Sequence, residues 1–131
     1  MSELMSIRQI VEEMISWPVR IVIPIEPPNV NNYVKHTRSG RHYKTKVALN
    51  WEAICRQTIA APLVEGKAHE VEYVVFQGSG SRGDVDNYAK CIMDALVHNG
   101  VLRSDASVVA IHGYKERDRE FPRTEIRVRP L

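Results

Sequence analysis

The stretch from Gly83 to Asp105 limits the fold more tightly than any other. It begins Gly83-Asp84-Val85-Asp86-Asn87-Tyr88-Ala89-Lys90 and runs through Asp94-Ala95-Leu96 to Arg103-Ser104-Asp105. Tyr88, Ile92, Ala95 and Leu96 make an apolar face at helical spacing, which predicts a helix over 87–98 with Asp86 as its N-cap. Asn99-Gly100 closes it, because glycine accepts the left-handed conformation that ends many helices. Such a helix is about 18 Å long at ~1.5 Å per residue. The steps from Gly100 to Asp105, if extended, cover about 17 Å. The chain can therefore return along the helix and set Asp105 beside Asp84 and Asp86. On an extended backbone Asp84 and Asp86 point the same way, and Lys90 lies one turn beyond Asp86 on the same helix face.

Three carboxylates at one point repel unless a proton or a cation neutralises them. A hard cation with oxygen ligands suits the place, and Mg²⁺ takes one or two carboxylates together with water and phosphate. That combination is fit for metal-assisted attack on a phosphodiester. Taken singly, each residue has a plainer role. Asp86 alone reads as a helix cap, Lys90 with Asp94 as an i,i+4 ion pair, and Asp105 in Ser-Asp-Ala-Ser as a turn residue. The conjunction carries the metal reading.

These residues also resemble a known family. Asp84-Val85-Asp86-Asn87, Lys90, Asp94-Ala95-Leu96, Gly100, and Asp105 followed by Val108-Val109 are similar to the core signature of the RusA-type Holliday-junction resolvases. Pro27-Pro28-Asn29 and Asn31-Asn32-Tyr33 resemble that family's Pro-Pro-x-Asn-Asn entry motif. The likeness spans residues 19–129. It implies a small, dimeric, Mg²⁺-dependent endonuclease of bacteria or phages, acting on four-way DNA junctions in the cytoplasm. By position it makes Asp84, Asp86 and Asp105 the catalytic, metal-binding aspartates and Lys90 the catalytic lysine.

The rest of the chain bounds this reading. The 131 residues, 44% hydrophobic and 26% charged, are enough for one domain with a modest core. A net charge of +2 says little about partners, so its distribution has to. Between Glu26 and Glu52 there is no acid, while Lys35, Arg38, Arg41, Lys44 and Lys46 give that window five positive charges, with Tyr33 and Tyr43 interleaved. Beside an acidic metal centre the window reads as a DNA-gripping arm rather than a solvated loop, because a nuclease must offset its own carboxylates to hold a polyanion. Arg82, at the end of the glycine-rich run 78–83, joins it. That run lacks the Gly-Lys-Ser/Thr ending of a nucleotide cradle, and no run is apolar enough to span a bilayer. Neither a nucleotide cofactor nor a membrane is expected. Cys55 and Cys91 form no metal-binding motif and are expected to be reduced thiols. The five histidines show no metal-ligand spacing.

Periodicity predicts a helix over 3–16 with a stripe of Leu4, Ile7, Ile10, Val11, Met14 and Ile15, expected to pack on its own domain, with a dimer contact or a docking surface for another protein as the alternative. Strands are expected at 19–25, 71–77, 107–115 and 124–129, a second helix at 46–61, and a hairpin loop at 116–123. Pro24 argues for an edge position or a strand end, and the apolar run at 74–76 for a central one. The order predicts an α+β fold, a mixed β-sheet with flanking helices. Residues 1–17 form an N-terminal helical extension and 18–131 the endonuclease domain. Two other readings stay open: a dimeric nucleic-acid-binding module that does not cut, and a Mg²⁺ nuclease acting on another branched substrate or on RNA.

Overall fold

Alternation of apolar and polar residues builds the sheet. In His69–Gln77 every second side chain is buried, and Val19–Ile23 and Arg123–Pro130 show the same period of two. The computed structural model describes residues 6–29, 34–36, 38–81 and 83–131, the segment 34–36 by its backbone alone. Four strands form a mixed sheet: β1 (Val19–Ile23), β4 (His69–Gln77), β5 (Val108–Arg117) and β6 (Arg123–Pro130), in the order β1-β6-β4-β5. A hairpin of β2 (Val34–His36) and β3 (His42–Lys44) stands apart from it. The fold is α+β, as expected.

Strand β4 is central, antiparallel to β6 and parallel to β5. The parallel pair needs a crossover, and α3 (Ala89–His98) supplies it. Strand β1 is an edge and stops at Ile23, just before Pro24. The segment 116–123 is not a hairpin loop, because β4 lies between β5 and β6; the link instead crosses the end of β4, where the Asp118 amide donates to the Gln77 carbonyl at 2.9 Å.

Helices α2 (Lys46–Thr58) and α3 cover one sheet face. Trp51, Cys55, Ile92 and Leu96 are fully buried against Ile23, Val71, Val75, Ile126 and Val128. Trp51 is a core residue, its indole donating to the Cys91 carbonyl at 3.4 Å. The opposite face carries ion pairs in place of apolar side chains. Arg127 meets Glu72 and Glu13, Arg129 meets Glu70, and His112 lies 2.8 Å from Glu70.

That face explains a departure in α1 (Ile7–Ser16). Ser6 caps the helix in a reciprocal capping box with Gln9. Its stripe does not pack on the domain: no residue of α1 is buried, and Ile7 and Ile15 are 82% and 75% exposed. The helix is tied down by Glu13, on Arg20 and Arg127, and by buried Trp17 under the guanidinium groups of Arg127 and Arg129. The sheet face beside it is largely taken up by these charged pairs. Leu4, the first residue of the stripe, lies outside the described residues.

Candidate active site

The acidic stretch leaves the end of β4 through a braced turn. Asp84 is extended, and Val85–Tyr88 form a 3-10 turn before α3 begins at Ala89. Two expectations change here. Asp86 is not the cap of an α-helix, since it sits inside the 3-10 turn. Nor does an extended run of backbone align Asp84 with Asp86; a tight turn sets their relation.

Gln77 and Tyr73, both from β4, brace that turn. Gln77, buried at the end of β4, donates from Nε2 to the Gly83 carbonyl at 2.8 Å and to the Tyr88 hydroxyl at 2.9 Å. Gly83 must be glycine, because a Cβ there would stand 2.0 Å from the Tyr88 hydroxyl oxygen. Tyr73 reaches across β5 to donate to the Val85 carbonyl at 2.5 Å. It passes over Gly113, where a Cβ would lie 2.5 Å from its ring. Burial, then the Asp86 carboxylate nearby, push the Tyr73 hydroxyl above its ordinary pKa, so it stays a donor.

At the far end of α3 the expected closure is present. Gly100 has φ +75°, its amide donates to Val97, and the Val101 amide donates to Leu96, a Schellman motif. Val101 and Leu102 are buried, which pins the returning chain. Asp105 opens a second 3-10 turn, Asp105–Ser107. Ser104 accepts from the Ala106 amide at 3.1 Å, and the buried ring of His69 holds Ser107 at 2.8 Å.

The return along α3 sets Asp105 in a groove with Lys90, Asp94, Ala89, Met93, Val108 and Ile111. Asp86 lines an adjoining hollow with Tyr73, Val85, Ala89, Ile111 and Gly113. Ala89 and Ile111 belong to both, so Asp86 and Asp105 open onto one seam between α3 and β5. Lys90 makes the i,i+4 pair with Asp94 at 3.4 Å. Asp84 stands at the end of the seam, largely exposed, its Oδ1 4.0 Å from the Lys115 ammonium.

The seam brings Asp86, Lys90 and Asp105 into one region, but it does not gather three carboxylates at a point. Among the described residues no three His, Cys, Asp or Glu side chains form a group able to hold a metal ion. Asp84 is instead met by Lys115, whose Nζ lies 4.0 Å from its Oδ1. In kind the donors fit a hard divalent cation: carboxylate oxygens, with no thiolate or imidazole among them.

The basic arm lies on β2, β3 and the start of α2. Arg38, Arg41, Lys44 and Lys46 are exposed, and Lys44 is paired with Glu52. Nothing is described of the Lys35 side chain, and Arg82, Asn31, Asn32 and Tyr33 lie outside the described residues. Pro27 and Pro28 are buried, and the Cys91 thiol donates to the Pro28 carbonyl at 3.0 Å. Glu26 accepts from the Gly78 amide at 3.2 Å and from the Ser81 hydroxyl at 2.6 Å, tying the Pro-Pro loop to the glycine-rich one. A cavity of about 280 Å³ lies elsewhere, between α2 and α3 among Trp51, Cys55, Cys91 and His98. None of the acidic residues of the seam lines it.

With this geometry in place the comparison with known proteins is direct. A family model described as endodeoxyribonuclease RusA matches residues 24–129, most of the chain. The chain belongs to the RusA endodeoxyribonuclease family. It is therefore an enzyme that hydrolyses DNA, of a family that resolves Holliday junctions and generally depends on a divalent metal. No curated protein matches the chain. The RusA match covers the acidic turn, α3, the Asp105 turn and the basic arm, and leaves out α1. Among the described residues no helix is long and apolar enough to cross a membrane. Sequence reasoning missed the residues that hold this region in shape: Gln77, Tyr73, His69 and Glu26. Only Gly83 and Gly113, as glycines next to or within strands, signalled a close approach.

Proposed function

We propose that this RusA-family chain is a Mg²⁺-dependent, structure-specific endonuclease that resolves four-way DNA junctions by paired cuts, acting as a homodimer. Asp84, Asp86 and Asp105 would hold the divalent ion, and Lys90 would be the catalytic lysine. Residues 18–131 form the nuclease unit and 1–17 an extension to it. The observation that carries the reading is the shared seam, onto which Asp86, Lys90 and Asp105 all open.

A Mg²⁺ ion held by these carboxylates would supply a water of lowered pKa and offset charge on the phosphate. The protein's own groups do the rest. The braced 3-10 turn fixes Asp84 and Asp86 relative to β4, and the Schellman closure with His69 fixes Asp105. Lys90 places a positive charge where negative charge grows on the phosphoryl oxygens. Its i,i+4 pair with Asp94 is of a kind worth only about 0.3–0.5 kcal/mol. The arm of Lys35, Arg38, Arg41, Lys44 and Lys46, with Arg82, grips the flanking backbone and displaces counterions. Two-fold symmetry suits a junction with two strands to cut.

The test is cleavage of a synthetic four-way junction against a linear duplex, with Mg²⁺ and with EDTA. Cleavage of the junction alone, in Mg²⁺ alone, is expected. Asp84→Asn and Asp105→Asn should abolish cutting while junction binding persists. A variant that still cuts removes those residues from the catalytic set. If neither substrate is cut but the junction is bound, the chain is a binding module; cleavage of RNA or flaps instead moves the substrate class.

A further inference from the structure

The site holds a cation that no motif marks. Side chains alternate along β5, so Lys115 shares a face with Ile111 and Gly113, the face on which the seam opens. Its Nζ stands 4.0 Å from Asp84 Oδ1 and donates to the Gly83 carbonyl at 3.5 Å. The pair is open to solvent, the lysine side chain 45% exposed and the aspartate 74%. An ion pair this long and this exposed is worth between zero and about 1 kcal/mol, so the fold gains little from it. Two residues further on, Arg117 donates to the Gly78 carbonyl at 2.5 Å, tying the same strand to the glycine-rich loop. The end of β5 thus presents one cation at Asp84 and a second at the glycine-rich loop that leads into the acidic turn. Lys90 serves the other end of the seam, paired with Asp94.

A polyanion approaching Asp84 meets a carboxylate, and its phosphates need positive charge at that spot. We propose that Lys115 is a DNA-phosphate contact of the active site, holding Asp84 in the free protein and a backbone phosphate in the complex. The inference rests on residues 84–105 being the cleavage site, and it assigns a role to a strand residue outside the acidic signature.

A merely structural lysine and a phosphate contact differ in salt dependence. Each phosphate contact contributes about 0.9 to the slope of log Kd against log salt for duplex DNA. Binding of a synthetic four-way junction is measured in EDTA over a KCl series for the wild type, Lys115→Met, Lys115→Arg and Lys67→Met, the last removing an exposed charge in the loop before β4. Lys115→Met is expected to bind more weakly, with a slope lower by about 0.9 per subunit engaged. Lys115→Arg and Lys67→Met should keep the wild-type slope. A wild-type slope in Lys115→Met, or the same loss in Lys67→Met, overturns the assignment. Matching thermal melts show that the variants fold. The nuclease reading fails separately: a wild type that binds the junction and never cuts it with Mg²⁺ overturns that reading, and the slopes still decide for Lys115.

Discussion

Tyr73 crosses the place where a side chain at position 113 would stand, and in doing so it props the turn that carries Asp84 and Asp86. Gly113→Ala sets a methyl group 2.5 Å from that ring, and overpacking of this kind costs about 1–3 kcal/mol. It should lower the melting temperature and cleavage together. Tyr73→Phe removes only the hydrogen bond to Val85, worth roughly 1 kcal/mol. Its expected signature is a small loss in Tm with a larger fall in kcat, because the acidic turn loses its prop; an unchanged kcat would show that the turn holds itself. The thiols behave differently. Burial pushes both Cys55 and Cys91 up to about 12 from an ordinary 9. A thiol reagent at pH 8 should therefore label neither until the chain is unfolded. The folded pKa is the raised one, so this contribution to stability is complete below pH 9 and is lost as pH climbs towards 12. Denaturant titrations at pH 8 and pH 10.5 check the sign.

At the scale of elements, α1 stands out by what it fails to bury. Its attachments are the ion pairs of Glu13 and the stacking of Trp17 under two arginines. Deleting residues 1–16 leaves Trp17 in place and removes pairs worth up to about 1 kcal/mol. The truncated chain should fold, with Tm lowered by no more than about 8 °C. Sedimentation of the same truncation reports on assembly: a dimer that survives shows that the interface lies within 17–131. A truncated chain that runs as a monomer assigns the stripe of Ile7, Met14 and Ile15 to the partner copy.

Across the whole molecule the sheet separates two chemistries. One face meets α2 and α3 in an apolar core, and the other carries two sets of polar pairs, Arg127 with Glu13 and Glu72, and Glu70 with Arg129 and His112. His112 and Arg129 hold the Glu70 carboxyl below its usual range, and the Phe121 amide and Arg123 do the same for Asp118. A depressed carboxylate pKa adds stability above its unfolded value and loses it as pH falls through the folded one. Urea midpoints should therefore hold near neutral pH and drop below about pH 4.5, the ordinary glutamate value. Glu70→Gln should flatten that drop; an acid limb of unchanged depth would place the titrating groups elsewhere.

Local rules determined much of this protein. The period of two marked strands, the apolar run at 74–76 marked the central place of β4, and Asn99-Gly100 marked where α3 closes. Spacing alone tied Asp105 to the helix that follows Asp86, since a helix length and a loop length can be compared on paper. Other features needed the third dimension. That β4 separates β5 from β6 depends on strand pairing, to which adjacency in sequence is blind. That α1 leaves its stripe exposed depends on the charge of a sheet face assembled from β1, β4 and β6. The brace of Gln77, Tyr73 and His69, and the placing of Lys115 at Asp84, come from residues many positions apart. Periodicity reports which face a side chain occupies, but only packing decides what that face meets.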